Sequence, residues 1–297
     1  MLPEFPQFKK LELEDKGDIE AFTKKFPPYS DYSFVSLWSW DTRGKARVSV
    51  LNGNLVVQFT DYVTGEPFLS FLGTNKPEET MSKILDFIKH DDSRSFLKLV
   101  PEHSVADYSG GNFFIREDRD NFDYIYSIDK LRTYKGNTHE RIRNMKNRFM
   151  RANHNVEVIN LDLRKAVDRE VVVKLNQQWE MNKEYPVENE EEAMTRLLFP
   201  TNDFDLFSVG VLINKVPAAF SINEILCDGY AMSHFAKADI QFEGIYAYLM
   251  FLTAEALAAQ SCQFLNYEQD LGVPGLRKAK TLFYPEYFLK KYLIESK

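Results

Sequence analysis

The sequence predicts a mixed α+β fold built from two halves of the same outline, and three observations lead there. Runs that alternate at period two are interleaved with runs at period 3.6, which excludes an all-helical or all-strand chain. The order strand, helices, antiparallel strands, helix, strand, helix, strand occurs twice, each time over about 140 residues, an ordinary domain size. Between the copies lies a stretch, residues 129–153, that reads as one long basic helix. The expected organisation is a first domain over 1–135, a connecting basic helix over 136–155 and a second domain over 156–297. Each domain is expected to hold a central mixed sheet flanked by helices.

Taken in order, residues 8–14 read as an edge strand and 17–26 as a helix. Residues 47–60 read as a hairpin, because Asn52-Gly53 stands between two β-branched runs. A strand at 67–72, a helix at 77–90 and a strand at 96–100 follow. A helical turn at 105–108 comes next, and then 113–118 and 123–127 as paired strands. In the second half, 156–161 is a strand, 163–182 a helix and 190–199 a second helix. Residues 206–213 and 216–225 form a hairpin across Asn214-Lys215, and 229–236 is a third strand. An apolar helix over 244–260, a strand at 263–267, a helix at 275–283 and a closing strand at 287–294 complete the chain.

Composition bounds the function. The 297 residues are 44% hydrophobic and 27% charged, with 24 Phe and 15 Tyr, enough for a substantial core and unlike a disordered chain. A net charge of −7 excludes a uniformly basic coat for nucleic acid, though not a local basic patch. Cys227 and Cys262 form no Cys-x-x-Cys pair, and the five histidines make no metal-binding spacing, so no metal is expected. Two lone cysteines suggest buried reduced thiols and a cytoplasmic setting. The N-terminus lacks the apolar run of a signal peptide, and the longest apolar run is too short for the about 20 residues that span a bilayer.

Three constellations carry the candidate chemistry. The turn Gln241-Phe242-Glu243-Gly244-Ile245-Tyr246 sits between a strand and the apolar helix, where free backbone N–H groups can bind an anion. Beside that reading stands a plain strand-to-helix turn hinged at Gly244. In the second constellation the strand over 263–267, which holds Asn266, delivers Glu268 and Asp270 at its C-terminal end, followed by Arg277, Lys278 and Lys280. Carboxylates beside cations suit a substrate bearing an ammonium and an acyl or phosphate group, and equally suit a salt-bridged turn. The third is the basic helix, with Arg141 and Arg143 among its cations, suited to phosphate contact or to a solvated face. Tyr284 is a candidate general acid, or a packed tyrosine. His234, mid-strand among apolar neighbours, reads as a satisfied core histidine.

The run NYEQDLGVPGLRKAKTLFYPEYFLKKY, with Asn266, Glu268, Asp270, Gly272, Gly275, Arg277 and Lys280 in place, is similar to the signature of the catalytic C-terminal domain of phosphatidylglycerol lysyltransferase and its soluble bacterial relatives. KGNTHERIRNMKNRF, from Lys135 to Phe149, resembles that family's central segment, and the aromatic run 33–40 fits a third. The Gly244 turn resembles the Gln-x-x-Gly-x-(Gly/Ala) loop that cradles coenzyme A pyrophosphate in GCN5-related acetyltransferases (GNAT), with Tyr246 in place of a small residue and Glu243 adding a negative charge.

The resemblance implies two tandem GNAT-like domains. It also implies aminoacyl transfer from aminoacyl-tRNA, as in the Fem-type peptidyltransferases of the same fold. Catalysis is then expected of Glu268, Asp270 and Tyr284, and cofactor contact of Gln241, Gly244, Ile245 and Tyr246. Substrate contact is expected of Asn266, Arg277, Lys278, Lys280, Arg141 and Arg143. No cofactor is required. The donor is aminoacyl-tRNA or a coenzyme A thioester, the acceptor a small molecule or a lipid headgroup, and the basic helix would meet the tRNA. A non-catalytic binding protein of the same fold is the remaining reading.

Overall fold

In the computed structural model, residues 1–61, 64–91, 96–181, 189–199 and 203–297 are described, and most elements form where period two and period 3.6 place them. The strands of the first half are β1 (Lys9–Lys10), β2 (Arg47–Leu51), β3 (Asn54–Thr60), β4 (Pro67–Leu72), β5 (Phe96–Pro101), β6 (Phe113–Glu117) and β7 (Asp123–Ser127). Those of the second are β8 (Val156–Leu161), β9 (Leu206–Ile213), β10 (Val216–Ile225), β11 (Tyr230–Ala238), β12 (Phe264–Asn266), β13 (Tyr287–Leu289) and β14 (Lys291–Ser296). The helices are α1 (Lys16–Thr23), α2 (Phe34–Ser39), α3 (Pro77–Asp91), α4 (Glu102–Val105), α5 (Ile128–Thr133), α6 (Glu140–Ala152), α7 (Ala166–Met181), α8 (Glu190–Leu198), α9 (Ile245–Ala259) and α10 (Pro274–Thr281). The Asn52-Gly53 and Asn214-Lys215 hairpins form as expected, with left-handed backbone at both turn residues of each. The expected helix over 163–182 starts at Ala166, and Asn182 lies outside the described residues.

Strand pairing crosses the expected boundary between the halves twice. The sheets run β1-β2-β3-β4, β13-β7-β12-β11-β10-β9-β8 and β5-β14-β6. Strand β7, from the first half, sits between β12 and β13, and the C-terminal β14 sits between β5 and β6. The expected pairing of 113–118 with 123–127 is therefore corrected. Strand β7 is buried from Asp123 to Tyr126, as an interior strand must be, whereas β6 shows the exposed pattern of an edge. The single closing strand is also corrected, because 287–289 and 291–296 belong to different sheets. The edge strand expected over 8–14 is reduced to two residues, and the helical turn at 105–108 forms earlier, at 102–105. Cys262 is buried as expected, but Cys227 is exposed.

The long connecting helix is broken into α5 and α6. Tyr134 closes α5 in the left-handed region and Gly136 follows at φ 84°. The Arg143 guanidinium donates to the carbonyls of Tyr134 (2.6 Å) and Gly136 (3.1 Å), capping groups that the break leaves open. The buried Tyr134 hydroxyl donates to the Ala247 carbonyl at 2.9 Å, which docks the joint on α9. Helix α6 then packs on the start of α9, and only a glycine permits that approach: a Cβ on Gly244 would lie 2.2 Å from the Met145 carbonyl oxygen. Among the described residues no helix is long and apolar enough to cross a membrane.

One core runs through both halves, joining Val48 and Leu55 of the first sheet to Phe220 and Phe235 of the second. Beside it lies a buried ionic cluster. Lys291, at the start of β14, is fully buried and its ammonium contacts Asp31, Asp123 (2.7 Å) and Ser30 (3.3 Å). Asn266 donates to Asp123 at 3.3 Å and to the Pro28 carbonyl at 2.7 Å, and Gln269 donates to Asp31 at 3.2 Å. Burial alone would lower the Lys291 pKa, but the two carboxylates outweigh it and raise the value. Removing one partner of such a cluster strands a buried charge, which costs more than the cluster itself contributes. Lys291→Met should therefore cost about 3–5 kcal/mol in urea denaturation, whereas Lys291→Met combined with Asp31→Asn and Asp123→Asn should cost under about 2 kcal/mol. Equal midpoints for the two variants would contradict this.

Candidate active site

The site lies where two parallel strands part. Strands β11 and β12 pair only through Tyr230–Met232 and Phe264–Asn266. From Ser233 to Ala238, β11 continues without a neighbour on that side, and a cavity of about 610 Å³ fills the opening. It is reached from both faces of the sheet. Trp40 and Leu175 line it on the α2–α7 side, and Met145 and Ala247 on the α6–α9 side.

A bulge in β11 aims the side chains. Ser233 pairs with Asn223 and Phe235 with Ile222, which leaves His234 as the extra residue. His234 and Phe235 consequently both face α2, with Ser36 Oγ at 3.4 Å from His234 Nδ1 and Trp40 stacked on Phe235 at 6.0 Å. Ser233, just before the bulge, points to the opposite face.

His234 joins two carboxylates. Its Nε2 lies 3.1 Å from Glu224 Oε2 and its Nδ1 3.3 Å from Glu268 Oε1. Burial alone would depress the imidazole pKa, but the hydrogen bonds to Glu224 and Glu268 outweigh it and raise the value to about 9. The ring is an imidazolium at neutral pH and donates at both nitrogens. The three groups set two acids against one base, with the Lys280 ammonium as a further cation near Glu268. Glu268 is the more accessible of the two, with 16% side-chain exposure against 9% for Glu224, and it lines the cavity.

The backbone around Glu268 is shaped for this. Glu268 and Leu271 both sit in the left-handed region, a conformation that non-glycine residues hold only where their surroundings impose it. The Glu268 N–H donates to Asn266 Oδ1 at 2.8 Å, and its carbonyl accepts from the Tyr124 N–H at 3.1 Å. Lys280 closes the turn by donating to the carbonyls of Tyr267 (2.5 Å) and Gln269 (2.7 Å). Burial pushes the Lys280 ammonium down to about 8, against nearby carboxylates that pull it up.

The residues singled out in the sequence divide by position. Glu268, Lys280 and Tyr246 line the cavity. Tyr246 accepts from the Trp179 indole at 3.1 Å and from the Ala238 N–H at 3.3 Å. Asp270 does not line the cavity. It is fully buried and receives Arg277 Nη2 on Oδ1 (2.6 Å), and Arg277 Nε (2.9 Å), the Tyr124 hydroxyl (2.6 Å) and Arg119 (3.2 Å) on Oδ2. Burial would raise its pKa, but the bonds from Arg277 and Tyr124 hold it below the ordinary value. Asn266 is committed to the ionic cluster below.

Gln241, Gly244 and Ile245 belong to the turn that packs on α6, and Glu243 of that turn is paired with Arg148. Arg143 caps the α5–α6 joint, while Arg141 and Lys278 are exposed. Tyr284 is 41% exposed and meets the His139 ring edge-on at 5.3 Å, away from the cavity lining.

Glu224 and His234 were not read as functional from the sequence. The available signal was a glutamate and a histidine on consecutive, otherwise apolar strands, Val216–Ile225 and Tyr230–Ala238. The bulge that turns them toward each other leaves no mark in the residue pattern. A second pair was also missed: Lys237, on β11, contacts Glu190 of α8 at 2.6 Å and stands 3.4 Å over the Trp179 ring. Among the described residues no cluster of His, Cys, Asp and Glu suits a metal ion.

The chain is similar to solved structures along its whole length. A conserved protein of unknown function from Bacteroides thetaiotaomicron VPI-5482 is 26% identical, with full coverage of both chains and a TM-score of 0.85. The C-terminal domain of a putative lysylphosphatidylglycerol synthetase from Agrobacterium fabrum is 11% identical, with 95% of this chain and 90% of that one covered and a TM-score of 0.66. L-PGS from Bacillus licheniformis is 14% identical, with 99% and 93% covered and a TM-score of 0.62. No curated protein sequence matches. The fold is the expected mixed α/β arrangement of two tandem GNAT-like halves. The model of the family described as phosphatidylglycerol lysyltransferase, C-terminal, matches residues 23–295, and the chain belongs to that family.

Proposed function

We propose that this protein is an acyltransferase that takes an aminoacyl group from aminoacyl-tRNA and passes it to an amine or hydroxyl acceptor. The observation that supports the reading is the Glu224, His234 and Glu268 cluster, which presents the Glu268 carboxylate to the cavity as an acceptor. An aminoacyl ester brings the matching ammonium, and a simple acyl thioester does not. The family's own description, a lysyltransferase, agrees with a donor of that kind.

The chemistry needs little more than placement. The acceptor's nitrogen or oxygen attacks the ester carbonyl, a tetrahedral intermediate forms, and the tRNA oxygen leaves with the proton that the acceptor gives up. Those backbone N–H groups of residues 235–237 that the antiparallel ladder turns away from β10, on a stretch of β11 with no strand paired beside it among the described residues, would meet the oxyanion. Lys280 and the ionic cluster keep the Glu268 turn rigid, which counts because a misplaced group costs orders of magnitude in rate. Met145 of α6 and Leu276 of α10 line the cavity, and the exposed cations Arg141 and Lys278 lie on the same two helices, available to phosphates. Against coenzyme A as donor stands the Gly244 turn, whose tight approach is taken up by the Met145 carbonyl.

Transfer of a labelled amino acid from a charged tRNA pool to soluble amines and to lipid vesicles tests the reading. Transfer from acyl-coenzyme A, with none from any aminoacyl-tRNA, would overturn it. Glu268→Gln should weaken binding of amino acid amides such as lysinamide and leucinamide about 10- to 100-fold, the worth of a charged hydrogen bond. Binding of hexanamide, which lacks the ammonium, should not change. Asp270→Ala should instead act on stability, losing about 3 kcal/mol in denaturant melts because two arginines and a tyrosine lose their acceptor.

A pH titration of stability reports on the imidazolium. An imidazole held at about 9 when folded and 6.5 when unfolded binds its proton more tightly in the folded chain. Its contribution is complete below pH 6.5 and is lost as pH rises through 9. Lys280 acts in the opposite sense. Its ammonium, at about 8 when folded and 10.5 when unfolded, relieves a burial cost as pH climbs between those values. Wild-type stability should fall between pH 6.5 and 8, and His234→Gln should flatten that fall while leaving the rise above pH 8.

A further inference from the structure

Ser233 is a polar side chain with nothing to bond to. It is 5% exposed and lines the cavity, and its hydroxyl has no hydrogen-bond partner among the described residues. A buried hydroxyl left in this state is a cost that an alanine would remove. Its neighbour compounds the anomaly. Asn223, fully buried, is directly opposite Ser233 on β10, so the two side chains share a face about 5 Å apart at Cβ. Asn223 donates to Ser221 Oγ at 2.9 Å, and Ser221 bonds Thr253 of α9 at 2.8 Å. That chain fixes the face as the α9 side and leaves Asn223 Oδ1 as an acceptor without a donor. Ser233 therefore offers an unused hydroxyl to the opening, and Asn223, outside the cavity lining, stands behind it. A ligand hydroxyl satisfies Ser233 with one hydrogen bond.

Position narrows which hydroxyl. Ser233 and His234 are consecutive and face opposite sides of β11 at the point where β12 stops. A ligand threaded through the opening with its ammonium at Glu268 therefore has its ester end beside Ser233. The ester of an aminoacyl-ribose has one hydroxyl next to it, on the adjacent ribose carbon, and a coenzyme A thioester has none there. The exposed cations of α6 and α10 lie on the same face of the sheet as Ser233, the side from which a polynucleotide would enter.

We infer that Ser233, with Asn223 behind it, is the residue that recognises the free ribose hydroxyl adjacent to the aminoacyl linkage of the donor. The inference rests on the aminoacyl-donor reading above and gives it a second contact. A ribose hydroxyl accepts from Ser233 Oγ, the one hydrogen bond that a deoxyribose cannot make. The site thereby distinguishes ribose from deoxyribose at the end of the donor, and aminoacyl-ribose from other acyl carriers.

The test is a cycle of two ligands and two proteins. The ligands are a 3′-leucylamido-3′-deoxyadenosine, whose amide resists transfer and whose 2′-hydroxyl is intact, and its 2′-deoxy counterpart. Titration calorimetry on wild type should show the 2′-deoxy ligand binding about three- to tenfold more weakly, the value of one neutral hydrogen bond. In Ser233→Ala the two ligands should bind alike, with the unliganded variant melting at or above the wild-type temperature. Ser208→Ala, whose buried hydroxyl is likewise without a partner among the described residues but does not line the cavity, should keep the discrimination. An undiminished 2′-hydroxyl effect in Ser233→Ala overturns the inference and leaves the donor reading standing. If neither ligand binds wild type, the aminoacyl-donor reading falls and the inference falls with it.

Discussion

The buried ammonium of Lys291 is the constraint on which the rest of the molecule depends. It holds Asp31 and Asp123 together, one from the loop before α2 and one from the start of β7. Those carboxylates in turn take Gln269 and Asn266. The segment after β12 is thereby tied to the first half of the chain and drawn off the β11 ladder. Without that tie β12 has no evident reason to stop pairing at Asn266 opposite Met232. The cavity thus opens where the side chains of Lys291, Asp31, Asp123, Asn266 and Gln269 hold the segment after β12 to the first half. The strands exchanged between the halves act to the same end: β7 and β14 carry Asp123 and Lys291 across the boundary, so neither half can make the cluster alone.

Around the opening, charge is arranged in two ways. Asp270 and Asp120 with Arg277 and Arg119, and Lys237 with Glu190, are balanced groups, and balanced groups chiefly fix geometry. Glu224, His234 and Glu268 set two acids against one base, and Glu268 stands at the cavity wall with the Lys280 ammonium near it. The two carboxylates that the sequence offered as equivalent differ in place: Glu268 lines the cavity, and Asp270 is buried under Arg277, Arg119 and Tyr124.

The fold was legible because its signals are local. Asn52-Gly53 and the apolar helix over 245–259 each carry their period or turn in a few consecutive residues. What the residue pattern hides is pairing between distant segments. Strands 113–117 and 123–127 are adjacent in sequence and look like a hairpin, yet each pairs with residues some 140 or more positions away. The same holds at the site. Asn266, Glu268, Asp270, Arg277 and Lys280 announce themselves as a dense polar run, but which of them faces a ligand depends on the left-handed turns at 268 and 271. His234 looked like a core residue and is one by burial. Only the bulge in β11, one residue of register, places it between two carboxylates.

The Gly244 turn bears on the donor proposed above. A glycine at the start of α9 permits close approach by whatever packs there, and its sequence context resembles a pyrophosphate loop. In this chain the approaching group is the Met145 carbonyl of α6, and Glu243 of the turn is held by Arg148 of the same helix. Both contacts commit α6 to the turn, with Met145 carried to the cavity wall and Arg141 to the surface of the same helix. A carrier that binds by pyrophosphate needs the turn open. A carrier that binds by a long phosphate backbone needs a cationic helix fixed beside the cavity, and a glycine closed against α6 provides that helix.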